Sequence, residues 1–168
     1  MKRLAIAMAI GSVIGCSGSS PTAPTPPANI AGSYNLNIIA SSTCSANLPS
    51  EARALLLVTT VTQTDATVQM QLVHHRGGTA TATGTVSGQT VSFPSLSFGE
   101  TMGLGATLVG SGSASVGANG SLTGTLNGTY QTPSGSSCNA ANHQLQMVKL
   151  CLQQTSTGTA MVPCAGGI

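Results

Sequence analysis

An all-β fold, an antiparallel up-and-down meander of about eight strands closed into a small barrel, is what this sequence predicts, and three observations predict it. Apolar and polar residues alternate with period two through most of the chain after Ala28, which turns one face of each strand toward a core. Short Gly, Asn and Asp turn signals separate the alternating runs, as hairpin connections require. Charged residues make up only 5% of the chain, and Ser, Thr, Asn and Gln fill the other face of each run. A meander of this length protects its strand edges most easily by closing on itself; a two-sheet β-sandwich is the alternative.

The elements follow in order. Tyr34, Leu36, Ile38 and Ala40 share one face of the first strand, with Asn35 and Asn37 on the other. Ser50 to Leu57 opens with a helical turn, because Pro49 and Ser50 are start signals and Glu51-Ala52-Arg53-Ala54 favours helix. It becomes a strand through Val58, Val61 and Gln63, closed by a turn at Thr64-Asp65. Val68, Met70 and Leu72 alternate with Thr67, Gln69 and Gln71. Ala80, Ala82, Gly84 and Val86 alternate with Thr79, Thr81, Thr83 and Thr85, and after Ser87-Gly88 the pattern resumes at Val91 and Phe93. Ala106, Leu108, Gly110, Gly112, Ala114 and Val116 oppose Thr107, Ser111, Ser113 and Ser115. Beyond the Ala118-Asn119-Gly120 turn, Leu122, Gly124, Leu126, Gly128 and Tyr130 oppose threonines and Asn127, and Leu145 and Met147 mark the last long strand.

The N-terminus has the form of an export signal. Lys2 and Arg3 supply a positive start, and Leu4 to Ile14 form an apolar run shorter than the roughly 20 residues needed to span a bilayer. Val13-Ile14-Gly15-Cys16 resembles the lipobox of bacterial lipoprotein precursors. The resemblance implies cleavage after residue 15 and a diacylglycerol thioether on Cys16, often with N-acylation. Two or three acyl chains hold a protein on a membrane permanently where one does not. Ser17, in the place where an Asp would retain the protein at the inner membrane, implies the outer membrane in a cell that has one. Ser17 to Ala28 is rich in Pro, Ser and Thr without apolar periodicity, the composition of a tether.

With the signal removed, Arg53, Arg76 and Lys149 balance Glu51, Asp65 and Glu100. A neutral domain has no basic patch for nucleic acid and no acidic one for cations. The organisation expected is therefore a cleaved signal peptide over 1–15, a lipid-anchored linker over 16–28, a barrel over 29–152 and a disulfide-tied tail over 153–168.

Four cysteines remain: Cys44, Cys138, Cys151 and Cys164. In an exported chain an even number points to disulfides. Cys138 and Cys151 flank the last long strand, so extended backbone separates them by roughly 40 Å and they cannot bond. Cys44 follows the first strand and Cys138 precedes the last, and those ends are neighbours in a closed antiparallel barrel. The pairing expected is Cys44–Cys138 and Cys151–Cys164, the second folding the tail from Gln153 to Pro163 back onto the barrel.

Residues for chemistry are few. Glu51, Asp65 and Glu100 lie on three separate segments, whereas a paired-carboxylate mechanism needs two to converge. His74 and His75 are adjacent at a strand end and point to opposite faces, and His143 starts the last strand near Cys138; all three are read as solvated histidines. No G-x-S-x-G elbow nominates a nucleophile, Gly103 and Gly105 precede no helix, and no C-x-x-C pair indicates a metal. No catalytic residue, metal or cofactor is expected.

The strand pattern from Ala31 to Leu150 resembles the calycin type of barrel, the lipocalin and avidin-like group. Gly32-Ser33-Tyr34 stands where lipocalins have Gly-x-Trp, and Lys149 ends the last strand where they place a basic residue. The chain has no tryptophan, so the most specific residue of that motif is replaced. The resemblance implies a small apolar ligand held inside the barrel. Its lining would come from Leu36, Ile38, Val68, Met70, Leu72, Phe93, Leu108 and Leu126. The function expected is a membrane-anchored, non-catalytic envelope lipoprotein that binds a small hydrophobic ligand. The alternative is a structural or protein-interaction lipoprotein with a solid core. Cavity volume separates the two, since small inward residues leave either a narrow filled barrel or a cavity.

Overall fold

The structure, a computed structural model, describes residues 25–73, 78–99, 107–132, 134–156 and 158–165. Among the described residues, nine antiparallel strands follow one another: β1 (Gly32–Ile39), β2 (Ala54–Thr64), β3 (Thr67–Val73), β4 (Thr79–Ser87), β5 (Thr90–Phe98), β6 (Thr107–Val116), β7 (Leu122–Gln131), β8 (Ser137–Thr155) and β9 (Gly158–Pro163). Each pairs with the next, and β1 also pairs with β8, which closes the first eight into a barrel. The closed meander is thus the architecture that the alternation predicts, and β9 is an extra strand outside the ring.

The inward face of each strand is the one its period predicts. Tyr34, Leu36 and Ile38 of β1, Val68, Met70 and Leu72 of β3, and Leu122, Leu126 and Tyr130 of β7 are all buried in one continuous core. Tight turns close the hairpins. Asp65 takes φ 53° between β2 and β3, and Gly88 takes φ 55° between β4 and β5, the left-handed region that Asp tolerates and Gly prefers.

Three places depart from simple alternation. In β2 the apolar run hides the face: Leu55, Leu57, Thr59 and Val61 point inward, while Leu56 and Val58 are exposed. The helical turn is a single 3-10 turn, Ser50–Ala52, and the strand starts at Ala54, earlier than the sequence implies. In β5 an extra residue between Phe93 and Leu96 makes a bulge against β6, at Pro94, which has no N–H to give a ladder. The period resets there, and Leu96 and Phe98 join the core. In β8 a second bulge lies opposite Leu126 to Gly128 of β7, with Asn142 at φ 76°, so Ala140 and His143 both face inward.

The barrel has a base, where Gly32 begins β1, and a crown, where Ile39 ends it. At the crown a short helix α1 (Ser42–Ser45) carries Cys44, bonded to Cys138 of β8. Cys151 and Cys164 form the other disulfide. Lys149 does not end the last strand: β8 runs on to Thr155, and the tail returns beside it as β9.

Candidate functional site

The crown holds the main polar cluster. Beyond β1, Ala40 N–H donates to the Arg53 carbonyl at 2.8 Å, and Arg53 Nε donates to the Leu48 carbonyl at 2.9 Å. This ties the segment from Ala40 to Arg53 over the barrel end, with Cys44, Leu48 and Ala52 buried beneath it. His143 lies under this cap, fully buried. Its Nδ1 accepts the Ser41 N–H at 3.0 Å and its Nε2 lies 3.2 Å from the Gly128 carbonyl. A nitrogen that accepts a backbone N–H carries no proton, so the network assigns the proton to Nε2, which donates to Gly128. Both ring nitrogens are committed to backbone groups, and neither is left for a substrate or a metal. The expected solvated histidine is therefore a buried structural one, drawn inside by the β8 bulge. Tyr130 packs edge-on to it at 4.9 Å between ring centres, its hydroxyl buried without a partner among the described residues. Burial pushes the Tyr130 phenol up to about 12.

The base is closed by the chain's own N-terminal segment. Ala28 N–H donates to the Gly88 carbonyl at 2.8 Å. Gln63 accepts the Ile30 N–H at 2.8 Å through Oε1 and donates from Nε2 to the Ala28 carbonyl at 3.0 Å. The Tyr34 hydroxyl donates to the Ile30 carbonyl at 2.7 Å, and Ile30 is fully buried. Burial raises the Tyr34 phenol to about 12 as well. Lys149 Nζ sits 5.8 Å from the centre of the Tyr34 ring, within cation–π reach. The two positions that carry the lipocalin resemblance thus meet, paired directly across β1 and β8.

Between the two ends the barrel is filled. Leu36, Ile38, Val68, Met70, Leu72, Leu108 and Leu126 are 0% exposed and Phe93 is 1% exposed. Side chains with no surface left for water to touch pack against one another and line no space. The small inward residues make room for large ones: a Cβ on Gly84 would lie 2.7 Å from the Phe93 ring and 2.5 Å from the Ser92 carbonyl. An eight-stranded barrel has an interior just wide enough for its side chains. Clefts lined by described residues open on its outside. One of about 300 Å³ sits at the crown rim between Ser41 and Asn142, and one of about 240 Å³ on the wall between Thr60 and Thr81.

Much of the outside is a hydroxyl and amide surface, interrupted by the exposed Leu56, Val58, Val73 and Val109. Direct cross-strand partners run Thr64, Thr67, Thr85, Ser92, Ser113, Thr125 and Gln144 from β2 round to β8, every one exposed. Of the residues singled out from sequence, Cys16, His74, His75, Arg76, Glu100, Gly103, Gly105 and Ala106 lie outside the described residues. Glu51 belongs to the 3-10 turn at the crown and Asp65 to a turn at the base, so these two acids sit at opposite ends. Among the described residues no three His, Cys, Asp or Glu side chains gather as metal ligands would. Leu96 and Phe98 were illegible as core by alternation alone; Pro94 within the run was the available signal. Comparison with protein-family models, curated proteins and solved structures finds no match to this chain.

Proposed function

We propose that this chain is a membrane-anchored, non-catalytic envelope lipoprotein, held by lipid on Cys16, whose solid barrel works through its outer surface as a structural or protein-interaction module. In a cell with an outer membrane, the outer membrane is its place. The observation that carries the reading is the filled interior, with all eight expected lining residues packed and both barrel ends covered by the chain's own segments. The neutral Thr, Ser and Gln wall supports contact with uncharged or weakly charged partners rather than with nucleic acid.

Two measurements test it. Mass analysis of the membrane fraction should find the peptide beginning at Cys16 acylated, and Cys16→Ser should release the protein from the membrane; a protein that stays soluble with an unmodified Cys16 would sink the anchor. Native mass spectrometry of the oxidised mature protein after exposure to envelope lipid extract should give a clean mass. A retained small molecule, lost when Met70 and Leu126 are enlarged, would restore the ligand-binding barrel.

A further inference from the structure

β8 extends past the barrel. Its register with β1 ends at Ser33 against Leu150, and its register with β7 begins at Leu122 against Met147. It continues to Thr155, paired with β9 from Leu150–Pro163 to Thr155–Gly158. Leu150 has Ser33 on one side and Pro163 on the other, so β9 takes the side of β8 that β7 occupies higher up. The result is a two-stranded ribbon leaving the base. Such a ribbon is marginal by itself, and the Cys151–Cys164 disulfide clamps it where it leaves the barrel.

One face of the ribbon is apolar over the half nearest the barrel, with Gln154 and Thr159 completing it at the tip. Leu150 is paired with Pro163 and Leu152 with Met161. Leu152 is 73% exposed and Met161 47%. No Asp, Glu, Lys, Arg or His occurs between Leu150 and Ile168. An exposed apolar cluster on an uncharged projection marks a contact surface.

The position of the tether says what it contacts. The chain enters the described structure at Thr25, beside Gly88, on the same base from which the ribbon projects. Eight residues lie between Cys16 and Thr25, and the nine steps from one to the other span at most roughly 30 Å. Thr155 lies about 17 Å along the strand from Leu150. A lipid on Cys16 thus keeps the base, and the ribbon beneath it, close to the bilayer. We propose that the β8–β9 ribbon is a second membrane contact, its Leu150, Leu152, Met161 and Pro163 face lying in the interfacial layer of the bilayer that holds the Cys16 lipid. This rests on the lipoprotein reading. At interfacial depth, water and headgroups satisfy the open β9 edge, which hydrocarbon could not do. A second copy is the weaker occupant, because a six-residue strand offers far less than the roughly 800 Å² per partner of a stable interface.

The chain has no tryptophan, so M161W provides a single reporter. The mature chain from Cys16, oxidised, is coupled through the Cys16 thiol to maleimide lipid in vesicles of equal phosphatidylethanolamine and phosphatidylglycerol. The expected result is a shift of emission to shorter wavelength on coupling and loss of intensity with lipids brominated near the glycerol, while T81W on the barrel wall shows neither. Emission that stays at its position in water would overturn the proposal. So would a blue shift that grows with protein density and is untouched by brominated lipid, which would identify a second copy as the occupant. L152W gives the same reading should M161W fail to fold. Because the coupling is chemical, the result is independent of whether cells acylate Cys16, which the mass analysis decides separately.

Discussion

His143 and Ser41 join the two sides of the crown: the imidazole Nδ1 on the bulged part of β8 accepts the Ser41 N–H at 3.0 Å, just beyond the end of β1. Removing the imidazole leaves that N–H and the Gly128 carbonyl without their partner and opens a cavity beneath α1. Each buried group so stranded costs about 1–3 kcal/mol, and the cavity adds to it. H143A should lose at least about 3 kcal/mol in chemical denaturation. A loss under about 0.5 kcal/mol, the range of ordinary surface changes, would show that the crown does not depend on this contact.

The two tyrosines make a contrast. The Tyr34 hydroxyl donates to Ile30, whereas the Tyr130 hydroxyl is buried without a partner among the described residues. Y34F should cost about 1–2 kcal/mol, and Y130F should be neutral or slightly stabilising. Equal losses would refute the assignment of the base closure to Tyr34.

Both phenols are pushed up to about 12 by burial, against 10.0 in an exposed tyrosine. Between those values the unfolded chain releases phenolic protons that the folded one keeps, so the unfolded state binds fewer protons and stability falls as pH rises. The stabilising contribution is complete below pH 10 and is lost as pH climbs toward about 12. The chain has only these two tyrosines, so near-ultraviolet tyrosinate absorbance reads them directly. A folded-state midpoint at the ordinary value would contradict their burial.

The disulfides should behave differently. Cys44–Cys138 joins residues 94 apart, and removing both cysteines should cost roughly 4–5 kcal/mol in global unfolding by the chain-entropy estimate. Cys151–Cys164 spans 13 residues and pins only the ribbon. Its removal should speed hydrogen exchange in β9 while the amides of β1 to β7 keep their protection. Equal deprotection of the barrel would show that the ribbon is part of the cooperative core.

Gly84 tests how full the interior is. A side chain there meets the Phe93 ring and the Ser92 carbonyl, so G84V should destabilise by about 1–3 kcal/mol or more. A tolerated valine would reveal spare room in the barrel and reopen the question of a ligand.

How much of this was legible in the sequence depended on whether a residue's face followed from its neighbours. The alternation around Val68, Met70 and Leu72 fixes their inward direction because every strand residue points opposite to the next. The cysteine pairing was legible for a related reason: strand direction alone puts Cys44 and Cys138 at one end and Cys151 near the other. Phase was lost wherever an extra residue entered, as at Pro94 and Asn142, and wherever a continuous apolar run such as Leu55 to Val58 gave both faces the same chemistry.

Alternation, turn chemistry and cysteine placement determined by themselves an antiparallel meander, the inward residues of its regular strands and the pairing of its cysteines, because each depends on chain direction and a local period of two; closure into a barrel rather than a sandwich came from the pairing of β1 with β8. Whether the barrel is full or hollow was decided only by the tertiary structure. That depends on how Phe93 fills the space beside Gly84, how Ile30 crosses the base and how His143 turns inside at a bulge. Those are contacts between residues distant in sequence, and volume in a core is a property of what meets across it, not of any strand alone.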